Sequence, residues 1–83
     1  MLEELTQAQR VVGVKQTRRA LHAGQVKKLF LALDADPDLV GPLADLARSA
    51  DIPVEESATM AQLGAACGIA VKAAVAAVVS VDT

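Results

Sequence analysis

The sequence predicts an α/β protein, a three-layer α/β/α sandwich around a central mixed four-stranded sheet. Three observations carry that expectation. Short apolar runs alternate with segments of helical periodicity. The helical segments are bracketed by start and stop residues, Asp36-Pro37 and Thr59-x-x-Gln62 at the beginnings and Gly24 and Gly68 at the ends. Alanine also supplies much of the apolar content, which suits close helix–sheet packing better than a bulky core.

Taken in order, Leu2, Leu5, Ala8, Gln9 and Val12 keep the spacing of a short amphipathic helix, followed by a brief apolar stretch at Val11–Val12 that Gly13 breaks. Lys15 to Ala23 reads as a second helix with Gly24 as its stop. Val26 to Leu33 is a strand, with Leu29, Leu31 and Leu33 at period two. Asp36 then serves as N-cap and Pro37 as first-turn residue of a helix carrying Leu39, Leu43, Leu46, Ala47 and Ala50. Pro42 inside that helix predicts an irregular first turn up to Gly41 or a kink. Ile52 to Glu55 is a short strand. Thr59 and Gln62 form a capping box opening a helix through Met60, Leu63 and Cys67, which Gly68 ends. Ala74 to Val81 is ambiguous by periodicity, but Val75, Val78, Val79 and Val81 favour a final buried strand.

Composition narrows the function. Eighty-three residues allow one domain, residues 1–83. A lone cysteine, Cys67, forms no internal disulfide and fits a reducing cytoplasm. With one His and one Cys there is no Cys/His zinc cage, and no metal or cofactor is expected. Asp34, Asp36 and Asp38 have the spacing that opens a calcium loop, but Leu39 and Asp45 stand where that loop needs Gly and Glu. His22 has no visible nucleophile partner and no glycine spacing matches a phosphate loop, so no catalytic residue is expected. Phe30 is the only aromatic residue, which leaves no base-stacking platform. The N-terminus, Met-Leu-Glu-Glu-Leu, is acidic and has no signal-peptide core. Leu63–Val81 carries Lys72 near its centre and two glycines, and is not read as a membrane span.

The net charge of −2 hides a split. Residues 1–28 hold Arg10, Lys15, Arg18, Arg19, Lys27 and Lys28 against two acids, a local +4, while residues 29–83 sum to −6. Such asymmetry marks either a surface for a polyanion or a solvated helix face. Within the basic segment, Gly13-Val14-Lys15-Gln16-Thr17-Arg18-Arg19 opens a helix whose free N–H groups and dipole attract phosphate. Lys15 and Arg19 share one face with Arg18 beside them, and Gln16 offers a donor and an acceptor for a base edge.

The ordered set Gly-Val-Lys-Gln-Thr, Leu-Asp-Ala-Asp-Pro and Leu-Gly-x-x-Cys-Gly-Ile-x-Val resembles the L7Ae/L30e family of ribosomal proteins, closest to its small bacterial paralogues. The likeness runs from about Leu5 to Val79. It implies an α/β/α sandwich and a non-catalytic protein that binds kink-turn RNA, a duplex bent at tandem sheared G·A pairs. It implies that Gly13, Val14, Lys15 and Gln16 form the helix start that reads those pairs. Lys15 and Gln16 stand where archaeal and eukaryotic members have Asn and Glu, so a bidentate amide gives way to a point charge. Arg19, with Arg18 beside it, falls on the basic position that contacts backbone and base edge. Asp36 falls on the acid near the flipped-out nucleotide, Val40 on an apolar contact one turn later, and Ile69, Ala70 and Val71 on the loop that packs against the extruded base. Ala70 stands where bacterial relatives often carry an acid, and Met60 where some members carry Lys. The expected partner is ribosomal, riboswitch or messenger RNA, with no membrane, bound by a cytoplasmic monomer. The alternative is a protein-interaction module on the same fold that no longer binds RNA.

Overall fold

The structure, a computed structural model, describes residues 9–80. Within them the chain runs β1 (Arg10–Val12), α1 (Val14–His22), β2 (Val26–Ala32), α2 (Pro37–Ser49), β3 (Val54–Ala58), α3 (Met60–Ala66) and β4 (Val75–Val79). The four strands form one mixed sheet in the order β1-β4-β2-β3. β4 pairs antiparallel with both β1 and β2, and β2 pairs parallel with β3. The expected α/β architecture is thus present. Of the first expected helix, Leu2, Leu5 and Ala8 lie outside the described residues, while Val12 belongs to β1 instead, paired with Ala76.

The sheet centre is covered on both faces. Leu29, Phe30, Leu31 and Ala32 are consecutive and all buried, as are Val75 to Val78 on the neighbouring strand. Consecutive burial requires cover above and below, because successive side chains point to opposite faces. The period-two reading of β2 therefore saw only half of its apolar residues. It also ran one residue too far, since Leu33 lies beyond the strand and is 60% exposed.

Local chemistry sets most helix boundaries. The Asp36 carboxylate accepts the Asp38 N–H at 2.9 Å at the start of α2. The Thr59 hydroxyl accepts the Gln62 N–H, and the Gln62 amide oxygen accepts the Thr59 N–H, closing the capping box of α3. α1 ends in a Schellman pair, Gln25 N–H to Ala20 O and Gly24 N–H to Leu21 O. α2 continues through Pro42 without an interruption. Pro42 is exposed, and Val40, Leu43, Ala44 and Ala47 hold the opposite face in the core. The proline removes one N–H only, on the side where water can reach the orphaned carbonyl.

The third strand lies later than the sequence suggested, at Val54–Ala58 rather than Ile52–Glu55. The end of α2 explains the shift. Asp51 sits in the left-handed region at φ 59°, and the Ile52 N–H is taken by the Ala47 carbonyl at 2.8 Å. Ile52 is thereby part of the helix stop, and Pro53 has no N–H to give a ladder. On the other flank, Glu55 is tied to Lys28 of β2 at 3.0 Å, and the Lys28 ammonium lies 5.0 Å from the Phe30 ring centre. No helix among the described residues is long and apolar enough to cross a membrane.

Candidate functional site

α1 starts at a residue only glycine fills comfortably. Gly13 adopts φ 94° and ψ 160°, turning the chain sharply from β1 into the helix. Its N–H donates to the Val75 carbonyl at 2.9 Å, fixing the helix start to the entry of β4. The first turn of α1 has no side-chain cap, unlike those of α2 and α3, and no acidic residue, unlike that of α2. Its leading N–H groups and the positive end of the helix dipole are therefore capped by no side chain among the described residues.

The faces of α1 are cleanly divided. Thr17 and Ala20 are buried against the sheet, whereas Lys15, Gln16, Arg18 and Arg19 are exposed. At about 100° per residue, Lys15, Arg18 and Arg19 radiate from the side opposite Thr17 and Ala20. None of the three makes an ion pair among the described residues. The rest of the basic segment is partly committed elsewhere: Lys28 to Glu55, and Arg10 to the Cys67 carbonyl.

Three further segments reach the same edge of the sheet. Ala32, at the end of β2, donates to Ala74 O at 2.9 Å, and Leu33 donates to Ala58 O at 2.8 Å. The Asp34 carboxylate accepts the Met60 N–H at 2.7 Å, so the β2–α2 turn caps the start of α3. The segment after α3 runs back alongside that helix, with Ala73 N–H on Met60 O at 3.1 Å, before entering β4 at Val75. The α1 start, the Asp34–Asp36 turn and the Ala73–Val75 entry to β4 are thus brought to one end of the sheet, and the Ile69–Val71 loop leads up to it from Cys67, which Arg10 holds. On that loop Ile69, Ala70 and Val71 are all exposed, Val71 by 69%.

One expected residue is not presented. Val40 is only 7% exposed and lies in the core with Leu43, Ala44 and Ala47, the i, i+3, i+4, i+7 face that α2 buries. The exposed apolar residue in that turn is its neighbour Leu39. Asp36 is at the edge, but one carboxylate oxygen is spent as the N-cap of α2. The Asp34 cap of α3 and the Arg10 bond to Cys67 went unnoticed in the sequence. Each joins residues far apart in the chain, 26 and 57 positions, and leaves no local spacing to read.

Burial pushes the Cys67 thiol up, against a smaller downward pull from the Arg10 guanidinium. Cys67 is buried, and that burial disfavours its thiolate.

The sequence matches the model of the ribosomal protein L7Ae/L30e/S12e/Gadd45 family over residues 2–83. It is 42% identical over 69 residues to an RNA-binding protein of Geobacillus sp. (strain WCH70), covering 83% of this chain and 84% of that protein. It is 39% identical over 77 residues to the RNA-binding protein YbxF of Geobacillus stearothermophilus, covering 92% and 94%. Among solved structures, a Bacillus halodurans protein of unknown function superposes with a TM-score of 0.84 at 30% identity, covering 95% of this chain and 83% of that one. The Giardia lamblia 15.5 kD RNA binding protein shares the fold, with a TM-score of 0.86 at 24% identity over 98% of this chain and 72% of that one.

Proposed function

Because the chain belongs to the ribosomal protein L7Ae/L30e/S12e/Gadd45 family, we propose that it is an RNA-binding protein, and that the RNA it selects is a kink-turn. The observation that carries this reading is an uncapped basic helix start bonded to the entry of β4, the strand into which an exposed apolar loop leads. The relatives named above as RNA-binding proteins cover nearly its whole length, which supports the same assignment.

The two halves of the site divide the work. The N–H groups of the α1 first turn, with Lys15, Arg18 and Arg19, meet phosphates and base edges where two minor grooves are drawn together. Lys15 offers three donors to acceptors on the sheared pairs, and Gln16 one donor pair and an acceptor. Ile69, Ala70 and Val71 give an apolar surface on which an extruded base can rest. A rigid protein that fits only the bent RNA stabilises the bent state by its differential affinity. No step of this role calls for a catalytic group.

The test is a titration against a stem–internal loop–stem RNA with tandem G·A pairs, and against a control in which those pairs are Watson–Crick. Tight binding to the first and weak binding to the second is expected. Equal, weak binding to both would sink the kink-turn reading and leave the protein-interaction module as the better account. If the three exposed cations of α1 each meet a phosphate, log affinity falls with log salt at a slope of about 2–3. Lys15→Ala with Arg19→Ala should weaken binding by over about tenfold with little change in thermal unfolding, because both side chains are exposed.

A further inference from the structure

The segment Cys67–Ala73 presents apolar side chains to water yet has a firmly held backbone. Ile69 donates its N–H to the Gly64 carbonyl at 3.1 Å, and Ala73 donates to Met60 O at 3.1 Å. Between these two points the chain lies directly on α3. A Cβ added at Gly64 would overlap the Val71 carbonyl oxygen and stand 3.2 Å from the Val71 carbonyl carbon and 3.4 Å from the Lys72 Cα. Gly64 is therefore the residue that lets the loop rest against the helix.

At its base the segment is tied by a side chain from a distant strand. The Arg10 guanidinium donates from Nη2 to the Cys67 carbonyl at 2.7 Å. Cys67 is the C-cap of α3, where the last carbonyls lack helical partners and the dipole is negative. A cation there makes a short, charge-assisted bond. Among the described residues no other side chain hydrogen-bonds this segment.

Resting on the RNA-binding reading above, we infer that Arg10 is a positioning residue: its bond to Cys67 O, set against the bare Gly64, holds the Ile69–Val71 loop in its base-receiving shape before RNA arrives. A loop already ordered loses less freedom on binding, so the clamp acts on affinity without touching RNA. Leaving apolar side chains such as Val71, 69% exposed, on so constrained a backbone is understandable if a partner covers them.

The experiment uses the whole chain, with Arg10→Ala, Arg10→Lys and Gly64→Ala. The first readout needs no RNA: amide hydrogen exchange at Gly68–Lys72, with the α1 amides as internal control. Arg10→Ala should speed exchange across the loop by about tenfold while α1 is unchanged, and Arg10→Lys, which keeps a cationic donor, should recover most of the protection. Gly64→Ala should also loosen the loop. Unchanged exchange in Arg10→Ala overturns the inference.

The second readout compares a kink-turn RNA with the same RNA made abasic at the extruded nucleotide. Arg10→Ala should weaken the intact RNA by about tenfold, leave the abasic RNA nearly unaffected, and keep the wild-type salt slope. Equal loss on both RNAs, with a slope smaller by about one, would make Arg10 a phosphate contact instead and refute the clamp. If the wild-type protein binds neither RNA, the RNA-binding reading fails, and the exchange measurement still decides whether Arg10 holds the loop.

Discussion

Replacing Gly13 by alanine isolates the cost of the backbone turn that aims α1. A methyl group built there meets nothing within 4 Å, so no steric clash enters. The whole effect comes from φ 94° with ψ 160°, a region essentially reserved for glycine. Holding an L-residue there costs about 1–3 kcal/mol. For a domain of this size, each kcal/mol lowers Tm by about 4–8 °C, so the expected loss is about 4–24 °C. Thermal and urea unfolding measure it directly. Gly13→Asn should fare no better, because asparagine tolerates the ordinary left-handed helical region and not this one. A D-alanine at the same position, introduced by ligation of synthetic segments, should recover most of the stability. If Gly13→Ala unfolds within about 0.5 kcal/mol of the wild type, the backbone there is not strained for L-residues and the reasoning fails. The Gly13 N–H also holds Val75 O, so a chain that relieves the strain by rotating this residue displaces the first turn of α1. RNA affinity should then fall together with stability.

Two other perturbations follow from buried or paired groups. Thr17 is fully buried in α1 and its hydroxyl has no hydrogen-bond partner among the described residues. Thr17→Val keeps the shape and removes the unsatisfied oxygen, so urea unfolding should show it more stable by about 1 kcal/mol; a less stable valine variant would mean that the hydroxyl is satisfied after all. Glu55 is held down to about 2 from an ordinary 4.5, first by the Ser57 hydroxyl donating to it at 2.6 Å and next by the Lys28 ammonium. Its folded form binds a proton less readily than the unfolded chain. Its contribution is therefore complete above about pH 4.5 and is lost as the pH falls toward 2. Urea midpoints at pH 5.5 and 2.5 should differ less in Glu55→Gln than in the wild type, and an identical difference would remove Glu55 from the account of acid unfolding.

What was legible in the sequence was what neighbouring residues decide. The Asp36 cap, the Thr59–Gln62 box and the stop at Gly24 each depend on groups within a few positions, and each stands where it was read. The start of β3 is not legible locally, because Ile52 looks like a strand residue in isolation while its N–H is taken by the Ala47 carbonyl at the end of α2. Leu33 keeps the period-two spacing of β2 yet lies beyond its end at Ala32, because such a pattern does not say where a strand ends. The candidate site shows the same division. Lys15, Arg18 and Arg19 sit on the outward face of α1, as helical spacing requires. Val40 came from the family resemblance alone, and its burial follows from its place with Leu43, Ala44 and Ala47 on one helical face. Arg10 was legible only as one more basic residue, since its partner is 57 positions away.

The acidic net charge and an RNA-facing site are compatible once the charges are placed. At physiological ionic strength the screening length is about 8 Å, so a phosphate responds to the charges beside it and scarcely to the molecular total. Beside the α1 start stand Lys15, Arg18 and Arg19, with no acid in the first turn to neutralise the helix dipole. The two carboxylates of the adjoining turn are each engaged by a backbone N–H, Asp34 with Met60 and Asp36 with Asp38. An ionised carboxylate bound in this way is held in place and has part of its charge met by the donor. These acids therefore set the shape of the edge by capping α2 and α3, while the cations and open N–H groups of α1 set its affinity for a polyanion. The same acids freed from their caps would repel the phosphates that α1 attracts. The capping bonds thus contribute to the electrostatics of the site as well as to the stability of the helices.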